Sequence, residues 1–434
     1  MSDGLQLSLI GILFATLLIG GMWVPFAVGV ASIAYLLQLG GLDALRAMGL
    51  VSWSSTNSFT LTAIPLFILM AAILEGSGLG QRAYRGMAKL VVRLPGGLLQ
   101  TNIAGCAVFA AVSGSSVATA ASIASVALPQ LEERRYDRRM AFGSLAAGGT
   151  LGILIPPSIA LILYATFTES SITALYMAAV VPGILMMLVF MGFIAIRCLM
   201  NPSLAPQERT TMTPADWVRT AADLIPFLTL IAVVMGSLYF GIATPTEAAA
   251  VGSVFALAVA KVWGNLDVEI LRRALQTTVK SSGSILFIVL SAYIMLYAVA
   301  LGGLPKSLAL WIGSLELSYA MFLVCLVIMY YILGCLVESM AMMVLTVPLI
   351  YPLLLTYGID PVWFGVILVL LVEMGQISPP FGINLFVIQS LAKSKYQDVV
   401  MGALPYQILM LLMIIVLACF PSIVSWLPNQ MAGS

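Results

Sequence analysis

The 434-residue chain has no histidine and only 9% charged residues, against 61% hydrophobic ones. Without histidine it lacks the side chain that titrates near neutral pH and the commonest metal ligand. Its five cysteines (Cys106, Cys198, Cys325, Cys335 and Cys419) lie in or beside apolar runs without CxxC spacing. They read as small apolar residues, not as a metal or redox centre. No G-x-x-x-x-G-K-[ST] loop occurs, so ATP binding by a P-loop is excluded. A net charge of +1 gives a polyanion nothing to hold, and nucleic acid is not expected as a partner. The N-terminal "MSDGLQLSLIGILF" lacks the basic region of a cleaved leader and reads as a first spanning segment that is retained. A soluble domain carries roughly a quarter charged residues. The scarcity here, with a mean hydropathy of +1.08, describes an all-α polytopic membrane protein in the lipid bilayer.

What is present is a series of long apolar runs. A spanning helix needs about 20 apolar residues. Candidates lie at 6–22, 24–40, 58–76, 141–166, 173–196, 223–241, 245–261, 283–302, 362–392 and 403–426. Two more nearly uncharged stretches, 96–129 and 317–359, are assigned by charge. Arg82, Arg85, Lys89 and Arg93 precede the first; Arg134, Arg135, Arg138 and Arg139 follow it. A single crossing would put one cluster outside, against the positive-inside tendency. A re-entrant hairpin keeps both inside, with its tip at "VSGSSVA". The second stretch, tip "GCLVES", has no Lys or Arg between Lys306 and Lys393 and is expected to enter from the outside. This topology puts 17 of the 19 basic residues in the cytoplasm, all but Arg46 and Lys306. Both termini are then expected on the periplasmic side.

The chain also repeats. Pro157 and Pro380 lie in "GTLGILIPPSIALILY" and "MGQISPPFGINLFVIQ", and Pro182 and Pro405 follow them at equal spacing. Residues 1–200 form one expected half, 201–222 a cytoplasmic linker and 223–434 a second half. Each has a hairpin (96–129, 317–359) and a broken helix (141–166, 362–392). Five crossings per half, an odd number, make this an inverted repeat with broken helices, as in secondary transporters.

Proline removes a helix donor and frees carbonyls nearby, while glycine allows a turn and a close approach. Bare backbone survives at membrane depth only where it lines a cavity or is covered by protein. Freed carbonyls suit a hard cation such as Na⁺, and half-helix starts suit a carboxylate. One Na⁺ site is expected between Ser113, Gly114, Ser115 and Ser116 of the first tip and the Gly152–Pro156 break. A second is expected between Gly334, Glu338 and Ser339 and the Gly375, Ser378 and Phe381 break. Substrate is expected between them, at Ser116, Thr119, Ser158, Gly382 and Asn384. A back-bond to its own helix is the ordinary alternative for any one Ser or Thr. Glu373 and Glu338 are deep carboxylates and hence functional candidates. Thr244-Pro245-Thr246-Glu247 reads as an outer helix start. No Arg or Lys is expected inside a span, which leaves an anionic substrate to helix ends, hydroxyls and co-bound cations. No separate cofactor is expected.

These segments, with "GSSVATAASI" (114–123), "RRYDRRMA" (134–141), "TPTEAAAVG" (244–252) and "EMGQISPPFGINLF" (373–386), resemble the large membrane subunit of the tripartite ATP-independent periplasmic (TRAP) transporters along the whole chain. The resemblance implies a bacterial inner-membrane permease, not an enzyme. It implies Na⁺-driven uptake of an organic acid such as a C4-dicarboxylate, keto acid or sialic acid, with an elevator motion of hairpins and broken helices against a scaffold. It also implies a small four-helix membrane subunit, expected as a separate chain, and a periplasmic substrate-binding protein. A stand-alone Na⁺/divalent-anion symporter of related fold, an ion channel and a Glu-based membrane enzyme are the alternatives.

Overall fold

The computed structural model describes residues 3–206 and 213–432. The extreme termini, on which the periplasmic placement rests, and residues 207–212 of the expected linker lie outside the described residues. The described chain is helical throughout, without a strand. The order is α1 (Asp3–Ile19), α2 (Val24–Thr56), α3 (Ala63–Gly76), α4 (Leu79–Val91), α5 (Leu98–Ser113), α6 (Ser116–Glu133), α7 (Arg138–Leu154), α8 (Ile159–Thr168) and α9 (Ile172–Met200). There follow α10 (Pro214–Tyr239), α11 (Pro245–Trp263), α12 (Val268–Leu301), α13 (Leu304–Ser314), α14 (Tyr319–Gly334), α15 (Ser339–Thr356), α16 (Pro361–Gln376), α17 (Ile383–Ala392), α18 (Tyr396–Cys419) and α19 (Ser422–Ala432).

Eight stretches among the described residues are long and apolar enough to cross a bilayer, or nine if α7 and α8 are one span bent by 42°. Ten were expected. The difference has identifiable causes. α1 has 17 residues. α16 and α17 are each short of a span and are held apart by Ile377 to Gly382. α15, expected as a hairpin arm, has 18 residues and is long enough by itself. α12 starts well before the expected span, so Arg272, Arg273 and Lys280 stand on its first turns and not in a loop. α4, which carries Arg82, Arg85 and Lys89 of the first basic cluster, is a helix that buries Leu79, Ala83 and Tyr84 and exposes Gln81 and Arg85. Such two-sidedness suits a helix lying at a membrane surface.

Local chemistry sets the helix starts. Asp137, Ser171, Asp267, Ser318 and Asp360 each accept a backbone N–H at their helix N-cap. Thr244 and Glu247 form the reciprocal capping box that the sequence suggests for α11. α2 is interrupted at Gly40 and Gly41, near the expected end of its span at residue 40.

The helices fall into two groups, which meet where α4 and α3 pack on α5 and α12 packs on α15. In the first, α7 lies against α5, α6 and α18, and α16 lies against α14, α15 and α9. α6 meets α17, and α15 meets α8. Tyr164, Tyr176, Phe109, Phe190, Phe364 and Tyr406 are fully buried there. Small residues let these backbones touch: a Cβ on Gly143 of α7 would sit 2.0 Å from the Gly402 carbonyl of α18. In the second group α12 runs along α2 and α3, α11 packs on α3 and α10, and α10 packs on α4.

Candidate functional site

Both tips lie on breaks. At the first, α5 ends in Gly114, whose φ of +60° is left-handed and suits glycine. A Cβ on Gly114 would come within 3.0 Å of the Pro157 carbonyl; one on Gly152 would lie 2.5 Å from the Ser115 carbonyl and 2.7 Å from Thr119 Oγ1. At the second, a Cβ on Gly334 would lie 2.5 Å from Gly375 Cα. At the first break the end of α5 thus lies on the Pro157 carbonyl and the end of α7 on the start of α6, whereas at the second the C-terminal ends of α14 and α16 touch, where helix carbonyls give a partial negative charge. Both Pro–Pro bonds are cis.

The starts of the following helices carry the opposite partial charge. Ser115 Oγ accepts from the Ala118 N–H at 3.4 Å, and Ser158 Oγ from that of Leu161 at 3.4 Å. Glu338 caps α15 by accepting from the N–H groups of Met340 (3.0 Å) and Ala341 (3.1 Å), while Ser339 Oγ donates to its other oxygen at 2.8 Å. The starts of α6, α8 and α15 border one cavity of about 470 Å³, lined by Ser113, Ser115, Ser116, Ile159, Glu338 and Ser339. The facing wall comes from the second helix group: Trp23, Glu75, Thr277, Ser281 and Ser284. Among the described residues no Lys or Arg lines it. A larger cavity of about 600 Å³ lies between α6, α7 and the end of α17; it is bordered by Glu132, Arg138 and Lys393 and touches neither tip. The smaller one is the candidate site, because helix ends converge on it.

Of the expected ion ligands, Ser113, Ser115, Ser116, Glu338 and Ser339 line the cavity. Gly114, Gly152, Pro156, Gly334, Gly375 and Ser378 are buried behind it, and Phe381 is 57% exposed. Ser378 Oγ donates to the Met374 carbonyl at 2.7 Å, the back-bond to its own helix. Of the expected substrate ligands only Ser116 lines the cavity; Thr119, Ser158, Gly382 and Asn384 lie deeper. Thr119 Oγ1 is 2.6 Å from Ser113 Oγ. The Ser158 carbonyl accepts from Tyr176 at 3.2 Å.

Behind the cavity the two halves are joined by side chains. Ser116 Oγ donates to Glu373 Oε2 at 2.7 Å and accepts from Asn384 Nδ2 at 2.6 Å. Gln407 Nε2 donates to the Ile377 carbonyl inside the second break. Sequence reasoning missed Gln376, Gln407, Glu75 and the α12 hydroxyls. Only the spacing of Thr277, Ser281 and Ser284, one polar face on an apolar helix, carried a sequence signal.

Residues 10–423 match the sequence model of the family described as "Tripartite ATP-independent periplasmic transporter, DctM component". The chain is 33% identical over 393 residues to the C4-dicarboxylate TRAP transporter large permease of Pseudomonas aeruginosa, covering 90% of this chain and 91% of that protein. It is 30% identical over 375 residues to the 2,3-diketo-L-gulonate TRAP transporter large permease of Escherichia coli, covering 86% and 87%. Among solved structures its fold is similar to the YdaH transporter of Alcanivorax borkumensis, with a TM-score of 0.61 at 17% identity over 89% of this chain and 90% of that one.

Proposed function

The chain belongs to the TRAP transporter family as its large membrane component, and from that premise we propose that it imports a small organic acid on a Na⁺ gradient. The observation that carries this is the pairing of helix ends. The starts of α6, α8 and α15 border one cavity with no basic side chain among the described residues, the first tip meets the first break at Gly114 and Gly152, and the ends of α14 and α16 meet at Gly334 and Gly375. Positive helix ends suit a carboxylate. Paired negative ends suit a hard cation.

The residues present fit Na⁺. A Cβ on Gly152 would fill the space beside the Ser115 carbonyl, which also accepts from the Thr119 N–H at 3.1 Å, and one on Gly334 would fill the contact of α14 with α16. Gly114, Ser115, Gly152 and Pro156 are the proposed hold on one cation; Gly334, Gly375 and the Glu338 carboxylate are that on the other. Na⁺ bound there supplies positive charge beside the acid, which this chain's side chains do not. Ser115, Ser116 and Ser339 then orient the acid by hydrogen bonds, and the α12 hydroxyls face it across the cavity. The relatives named for a C4-dicarboxylate and for diketogulonate support a small acid as cargo.

We read the fold as an inverted repeat: α6 of the first half against α17 of the second, and α15 of the second against α8 of the first, are the same contact made reciprocally. The group of α5 to α9 with α14 to α19 is the proposed moving body, sliding as an elevator against α2, α3 and α10 to α12. With the basic residues inside, Glu75, Thr277 and Ser281 lie toward the cytoplasmic ends of α3 and α12. The conformation is then read as inward-open. Membership of a tripartite system favours partners over a stand-alone symporter: a small four-helix membrane subunit and a periplasmic binding protein. Reconstitution with both, followed by uptake of labelled C4-dicarboxylates and keto acids, tests this. Uptake is expected under an inward Na⁺ gradient, and undiminished uptake with K⁺ in its place would refute the coupling.

A further inference from the structure

We propose that Glu373, Gln376 and Asn384 hold a third monovalent cation where the two halves cross, behind the substrate cavity. All three side chains are at least 99% buried. Glu373 Oε1, both side-chain polar atoms of Gln376 and Asn384 Oδ1 have no hydrogen-bond partner. Each such orphan is a destabilising group, the more so when it is charged. Three of the four are oxygens, which a cation can take as ligands.

The orphans are grouped by the contacts around them. Ser116 Oγ bonds the other oxygen of Glu373 and the nitrogen of Asn384, so the two unpaired oxygens flank one hydroxyl. Gln376 is one turn beyond Glu373 on the same face of α16. Among the described residues no ion pair reaches Glu373. A buried carboxylate with one hydroxyl donor and no charged partner is left poorly compensated for its desolvation. One carboxylate oxygen and two amide oxygens offer hard donors with a net charge of −1. A monovalent cation neutralises that charge. Ca²⁺ would demand six to eight oxygens and leave positive charge uncompensated. The site differs from the two at the tips, because side chains and not freed carbonyls supply its ligands. It also accounts for Asn384, which does not line the cavity where substrate was expected to meet it. The choice of Na⁺ as occupant rests on the sodium-coupled reading; the geometry does not.

The test is equilibrium binding of radiolabelled Na⁺ to the purified full-length chain, comparing wild type with Glu373→Gln, Asn384→Leu and Gly334→Ala. Glu373→Gln and Asn384→Leu are each expected to bind one Na⁺ fewer per chain, with the remaining sites within about 2-fold of their wild-type affinity. Gly334→Ala is expected to lose a different ion, so Gly334→Ala with Glu373→Gln loses two. Wild-type stoichiometry in Glu373→Gln overturns the proposal. If Gly334→Ala binds like wild type while Glu373→Gln loses an ion, the tip site fails and the third site stands. Should Glu373→Gln fail to elute as a folded monodisperse protein, Gln376→Ala decides: about a 10-fold loss of affinity at one site supports the proposal, and unchanged binding sinks it.

Discussion

At the first break α7 ends at Leu154 and α8 restarts at Ile159, with the Ser158 hydroxyl capping the new helix. At the second, α16 ends at Gln376 and α17 restarts only at Ile383, behind Gly382, which offers no capping side chain. The tips differ in the same sense. A neutral Ser115 starts α6, whereas the Glu338 carboxylate starts α15. The second break also needs outside help, since Gln407 from α18 donates to the Ile377 carbonyl. The same backbone arrangement is thus finished with hydroxyls in one half and with a carboxylate and an amide in the other. The two proposed ion sites need not have equal affinity, because a carboxylate stands at the second and a hydroxyl at the first.

The largest expected effects come from closing either cradle. Gly152→Leu and Gly334→Leu should each lower uptake on the order of 100-fold, since overpacking costs about 1–3 kcal/mol or more. The variants should still reach the membrane, as immunoblotting of membrane fractions will check. If only one of the two abolishes uptake, the halves are not equivalent. Glu338→Gln should raise the Na⁺ concentration for half-maximal uptake about 10-fold, because a charge-assisted interaction becomes a neutral one. Ser115→Ala should do less, about 5-fold, the loss of an N-cap hydroxyl. The reverse order would break the comparison. Ser281→Ala on the facing wall should raise the KM for the acid about 2-fold to 3-fold and leave the Na⁺ dependence unchanged. The smallest effect is expected from Arg139→Ala. Its ion pair with Asp398 at 3.0 Å is solvent-exposed, so Tm should move by no more than the worth of about 0.5 kcal/mol.

The breaks and tips were legible in the sequence because their chemistry is local. Gly114, Gly334, Pro156 and Pro379 punctuate apolar runs, and nothing but a special backbone explains them there. The charge distribution was equally local. What the sequence hid lies in contacts between distant segments. Ser116 meets Glu373 and Asn384 only because α6 packs on α17 across the halves. Gln376 and Gln407 read as single polar residues in apolar helices until the second break places them. Thr119, Ser158 and Asn384 were expected at the substrate, yet they stand one layer further in, where side-chain direction and not proximity in sequence decides. α4 was read only for its basic residues; the buried Leu79, Ala83 and Tyr84 recur at helical spacing beneath them.

The Na⁺ dependence of uptake in proteoliposomes, measured for wild type, Gly152→Ala and Gly334→Ala, tests the central claim most directly. The account predicts that adding one methyl group at either glycine raises the half-saturating Na⁺ concentration at least about 10-fold. Na⁺ titrations of both variants that superimpose on the wild type would contradict it.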